Sequence, residues 1–169
     1  LLGSNPEPEF VEKLKETAIN YDENILAIHD LMVHDYGPGH RIVSFHAEVP
    51  ETGNMIQLHD IIDNLERKLH KELGCLVTIH MDPVASDDEA TLMLKDEVTD
   101  IVKGIDTDYS IHDFRIVRGD THTNLIFDVL IPQEDKTDFI EIKKKIKERV
   151  NQVSPNYNVV CQVEKSFIE

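Results

Sequence analysis

His46, His80 and Asp82, with His29 as a fourth, are the residues of this chain whose types best suit chemistry. Imidazole nitrogen and carboxylate oxygen together make a ligand set for zinc and neighbouring first-row metals. No compact motif joins the four, so any common centre has to be assembled by the fold. Strand alternation can do this, because successive side chains point to opposite faces of a sheet. In the run ending at Val49, Val43, Phe45, Ala47 and Val49 share one face, and Ser44, His46 and Glu48 the other. In the run starting at Cys75, Cys75, Val77, Ile79 and Met81 share the apolar face, and Thr78, His80 and Asp82 the opposite one. The parity of His29 is less clear, since both faces of its strand are fairly apolar; it joins the open face if Ile28 and Met32 pack inward. The ordinary alternative is that these are solvent-exposed sheet residues, some of them covered by a partner.

The elements that must position these residues occur twice. Residues 28–31 read IHDL and residues 111–114 read IHDF. Each string is followed by a strand-like run ending in proline, an amphipathic helix and a short β-rich run, and such internal repetition decides architecture before any single motif does. In the first copy, Phe10, Leu14, Ala18 and Tyr21 recur at helical spacing. Strands follow over about 25–35 and 40–49, joined through the turn Tyr36-Gly37-Pro38-Gly39. A second helix over about 54–73 carries Met55, Leu58, Ile61, Ile62, Leu65 and Leu69 as its buried stripe and stops at Gly74. The last strand, 75–82, ends at Pro83. The linker Ala85-Ser86-Asp87-Asp88 supplies a helix cap, and the order then repeats: helix 88–103, strands 109–118 and 122–131, helix 136–153, strand 158–165. Each unit is α-β-β-α-β. A strand, helix and parallel strand cross over right-handed, and the simplest packing is a three-stranded sheet with helices on one face and the other face open. The class is α+β, with units at 1–85 and 86–169.

The repeat is asymmetric. Seven of the nine histidines lie in the first copy. In the second, Asp128 stands at the place of His46, Gln162 at that of His80 and Glu164 at that of Asp82. The scaffold does not demand histidine there for packing, so the first copy reads as a metal site and the second as the same scaffold without one. Composition sets further bounds. The 33 acidic residues outnumber the 17 basic ones for a formal charge of −16, which excludes nucleic acid and anionic membrane surfaces as partners and suits a surface that attracts cations. Only two cysteines are present, Cys75 and Cys161, one in each copy, which fits a reducing cytosol. No apolar run approaches the roughly 20 residues of a membrane span. The chain opens LLGSNP without methionine and reads as a piece of something larger.

With these residues in hand, the first copy resembles the cytosolic C-terminal domain of cation diffusion facilitator transporters. The strings that carry the likeness are IHDLMVHDYGPGHR, SFHAEVP, HDIIDNLERKL and VTIHMDPV, within about residues 9–84. The opening LLGSNPEPEFVEKLKE resembles the join between that family's last membrane helix and its soluble domain. The resemblance implies a ferredoxin-like αββαβ unit, so that the chain is a tandem of two, and a homodimer with metal at or near the subunit interface. It also implies the ligand set His29, His46, His59, His80 and Asp82, with His59 supplied by the partner subunit; on residue pattern alone His59 is a helix-edge histidine beside the apolar stripe. The second, ligand-poor copy departs from the family.

These readings lead to one expected function: a cytosolic regulatory domain that senses a divalent metal, zinc first among the candidates, and dimerises beside the membrane part of an efflux transporter. Its place is then the cytoplasmic face of the cell membrane, and it is not an enzyme. The alternative is a ferredoxin-like small-ligand sensor or a dimerisation module with no metal role. A zinc hydrolase with Glu48 as general base lacks a nucleophile motif or substrate cleft in the sequence. His34 and His40, flanking the hairpin turn, suggest an accessory site outside the family pattern. His70 reads as solvated, and His112 and His122 as non-ligands.

Overall fold

The computed structural model describes residues 5–166; the expected join to a membrane helix rests in part on residues 1–4, outside the described residues. The chain divides into two units between Pro83 and Val84. The first contains α1 (Pro8–Ile19), β1 (Ala27–Asp35), β2 (Arg41–Pro50), α2 (Met55–Leu73) and β3 (Cys75–Val84). The second contains α3 (Glu89–Lys103), β4 (Ser110–Arg118), β5 (Thr123–Ile131), α4 (Phe139–Val153) and β6 (Tyr157–Lys165). The two sheets have strand orders β1-β2-β3 and β4-β5-β6. Both units are α+β and ferredoxin-like. No helix among the described residues is long and apolar enough to cross a membrane.

Local chemistry sets the helix ends. The Asn54 side chain accepts from the backbone N–H of Ile56 and Gln57 at 3.0 and 3.1 Å and starts α2, and Gly74 closes it at φ 62°, a left-handed conformation that glycine adopts without steric cost. Asp88 and Asp138 cap α3 and α4 in the same way. Phe10, Leu14 and Ala18 of α1 and Ile62, Leu65 and Leu69 of α2 are buried in one cluster with Val43, Phe45 and Ala47 of β2. Both helices therefore cover the same sheet face, and the opposite face is open. There Met32, Ile42 and Leu76 are exposed, so the open face is not uniformly polar.

Two features of the strands differ from the sequence reading. The first is that β3 runs through Pro83 to Val84 instead of stopping. As an edge strand it can carry a proline, because one side of its backbone has no ladder partner. The second is an irregularity in β1. His29 pairs with His46, but the next regular pair is Met32 with Ser44, so two residues of β1 oppose one of β2. Asp30 takes up the extra residue at φ 51°, a conformation aspartate tolerates better than most residues. The bulge reverses the alternation: Ile28, Leu31 and Val33 pack against the core, while Met32 is exposed. The condition on which His29 was to join the open face holds for Ile28 and not for Met32, yet His29 does reach the outer face. The second unit repeats the device, with Asp113 at φ 52° between the pairs His112–Asp128 and Arg115–Ile126. Its β5 and β6 are parallel. Ala85 pairs with Ile116 and packs in that unit's core.

Candidate metal centre

The outer face of the first sheet gathers three neighbouring strands' polar residues at one end. β1 supplies His29, β2 supplies His46 and Glu48, and β3 supplies His80 and Asp82. Because His29 and His46 are direct cross-strand partners, their rings come together, with centroids 4.9 Å apart. The ring of His80 stands 4.7 Å from that of His46.

Asp82 is the hub. It is 5% exposed, a depth at which a carboxylate needs partners. Its Oδ2 accepts from His46 Nδ1 at 2.8 Å and lies 3.3 Å from His29 Nε2. Its Oδ1 lies 3.2 Å from His80 Nε2. Glu48, 2% exposed, accepts from His29 Nδ1 at 2.9 Å. Both nitrogens of His29 thus face carboxylates. Burial alone would lower the pKa of His29. The hydrogen bonds to Asp82 and Glu48 and the charges of Glu48 and Asp30 outweigh that and raise it from 6.5 to about 9. Burial would likewise raise the pKa of Asp82, but the bonds from His29 and His46 and the nearby imidazoles hold it below the usual carboxylate range.

A metal ion fits this donor set. One ligand atom each from His29, His46 and Asp82 lie within 4.8 Å of one another. Around a tetrahedral zinc with bonds of about 2.0–2.1 Å, neighbouring ligand atoms stand about 3.3 Å apart, so imidazole rotations on the order of 1 Å close the difference. His80 adds a nitrogen on the exposed side of Asp82.

The structure brings together His29, His46, Asp82 and, at the rim, His80. His59 is exposed on the first turns of α2 and is not a member of the group. Of the hairpin histidines, His34 stacks on Tyr36 with centroids 6.5 Å apart, and His40 Nδ1 donates to the Pro38 carbonyl at 3.1 Å; neither joins a metal-holding group among the described residues. His70 is more than solvated, since its Nδ1 donates to the Cys75 carbonyl at 2.9 Å. Glu48 is the residue whose part the sequence reading did not find. The alternation put it on the correct face, two positions from His46, and the one role weighed for it, general base of a zinc hydrolase, was set aside. Its carboxylate is instead engaged by His29.

Comparison with known proteins bears on the first unit. The profile of the cytoplasmic domain of cation efflux proteins matches residues 6–84. A solved structure of the proposed zinc transporter CzrB shares 30% identity, over 47% of this chain and 98% of its own, with a TM-score of 0.42. Another, of its zinc form, shares 30% over 49% of this chain and 93% of its own, with a TM-score of 0.41. A sex pheromone staph-cAM373 precursor aligns over 99% of this chain and 77% of its own at 10% identity and a TM-score of 0.37, too slight a likeness to bear on function. No curated protein sequence matches the chain significantly.

Proposed function

The chain belongs, through residues 6–84, to the cation efflux proteins by their cytoplasmic domain, and from that premise we propose that it is the metal-sensing and dimerisation domain of a divalent-cation efflux transporter, with zinc as its ion. One observation carries the reading: two imidazoles and a buried carboxylate from three strands converge within 4.8 Å. His29, His46 and Asp82 hold the ion, His80 completes the set from the rim, and His59 enters from a second copy of the chain. CzrB, with which the first unit shares 30% identity, has a zinc form, and a set of imidazoles and a carboxylate suits zinc. The family's dimer designation supports a homodimer, and the exposed Met32, Ile42 and Leu76 on the same sheet face give a second copy apolar surface to cover.

Two protomers, each with a formal charge of −16, repel one another. Cations at their junction lower that repulsion and favour the closed arrangement of the pair, which is then read by the transporter's membrane part. The domain lies at the cytoplasmic face of the membrane, takes no nucleic acid and is not an enzyme. Titration calorimetry with zinc tests the reading. Asp82→Ala is expected to abolish binding, and His80→Ala to weaken it about tenfold or more. Unchanged stoichiometry and affinity in both variants would remove the site.

A further inference from the structure

We propose that Glu48 is a positioning residue of this metal centre: it fixes His29 with its proton on Nδ1 and so presents Nε2 as the metal-binding nitrogen. The role presupposes the centre proposed above. A neutral imidazole can carry its proton on either nitrogen, and the partner of one nitrogen selects which of the two is left to ligate. Glu48 Oε1 lies 2.9 Å from His29 Nδ1, and a carboxylate there can only accept. The opposite nitrogen, Nε2, lies 3.3 Å from Asp82 Oδ2, on the side where the ligand atoms converge. A carboxylate behind an imidazole also makes it a stronger donor to a metal.

The second unit serves as an internal control. Ala27 pairs with Glu48 in the first sheet, and Ser110 pairs with Leu130 in the second. Leu130 is therefore the counterpart of Glu48, just as His112, paired with Asp128, is the counterpart of His29, paired with His46. The sheet thus forms with leucine at this place and does not need a buried acid there. With leucine, the histidine counterpart is exposed. The carboxylate goes with the histidine that faces other ligands.

The test uses the whole chain, zinc, and the variants Glu48→Leu and Glu48→Gln. In zinc-loaded protein, nitrogen-15 correlation spectra are expected to show His29 bound through Nε2, with a slowly exchanging Nδ1–H. Glu48→Leu is expected to lose that Nδ1–H signal and, at a pH high enough that no proton competes for His29, to bind zinc about 10–100-fold more weakly, with an unchanged circular dichroism spectrum; near neutral pH the loss is smaller, because removing Glu48 also eases proton competition at His29. Glu48→Gln keeps an acceptor oxygen and is expected to stay within a few-fold of the parent. Equal affinity in Glu48→Leu at that pH, or Nδ1-bound zinc in the parent, overturns the role of Glu48 and leaves the metal centre standing. A parent that binds no zinc overturns both. Should the leucine variant not fold, the ligating nitrogen in the parent spectrum decides alone.

Discussion

Zinc binding to this chain is expected to strengthen about tenfold on going from about pH 7 to about pH 8, because His29 must shed a proton to become a ligand. Its pKa of about 9, against an ordinary 6.5, means that the metal-free protein carries that proton at neutral pH. Roughly two units below the pKa, the competition costs about 100-fold in affinity, or about 3 kcal/mol at 1.36 kcal/mol per tenfold. The penalty shrinks as pH rises and is gone above about 9. Calorimetric titration at about pH 7 and about pH 8, each in buffers of different ionisation enthalpy, measures affinity and proton release together. About one proton from His29 should leave per zinc at the lower pH. An affinity flat across this window, with no proton released, would refute the account of the site. The metal-free fold responds in the opposite sense. Protonated His29 is bonded to Asp82 and Glu48, so its stabilisation is complete below about 6.5 and is lost as pH rises through about 9. Asp82, with its pKa lowered, stabilises above the ordinary carboxylate range and loses that contribution as pH falls through its folded-state value.

Other outcomes follow from the scaffold. Asp30→Gly should leave stability within about 0.5 kcal/mol, whereas Asp30→Val, forcing a β-branched residue to φ 51°, should cost about 1–3 kcal/mol in urea unfolding and weaken zinc binding by disturbing His29 beside it. Phe45→Ala, which empties a site at the centre of the first core, should destabilise that unit by about 3–5 kcal/mol, seen as a lower urea midpoint.

The strand alternation of 43–49 and 75–82 was enough to put His46, Glu48, His80 and Asp82 on one face, because the period of two leaves little freedom when one face is apolar. The order of elements followed from repetition and from caps such as Asn54 and Gly74. What alternation could not show was the bulge at Asp30, since a single left-handed residue leaves no periodic mark and both faces of β1 are apolar nearby. Nor could it show depth. Glu48 and Asp82 read as exposed partners of a polar face, and only the packed sheet shows them buried, with Asp82 shared among three imidazoles. The run of β3 through Pro83 was likewise hidden, because whether proline ends a strand depends on which of its edges is free.

A hub of this kind has a consequence for how the site can be lost. With one carboxylate anchoring three rings, substitutions at His29, His46 and His80 should not add independently: once Asp82 is gone, removing a further histidine should cost little more. Decay is then abrupt, and after the anchor goes every remaining ligand position is free to drift. The C-terminal repeat shows that an acid alone does not make the hub: it keeps a carboxylate, Glu164, at the place of Asp82, but has Asp128 and Gln162 where its twin has His46 and His80.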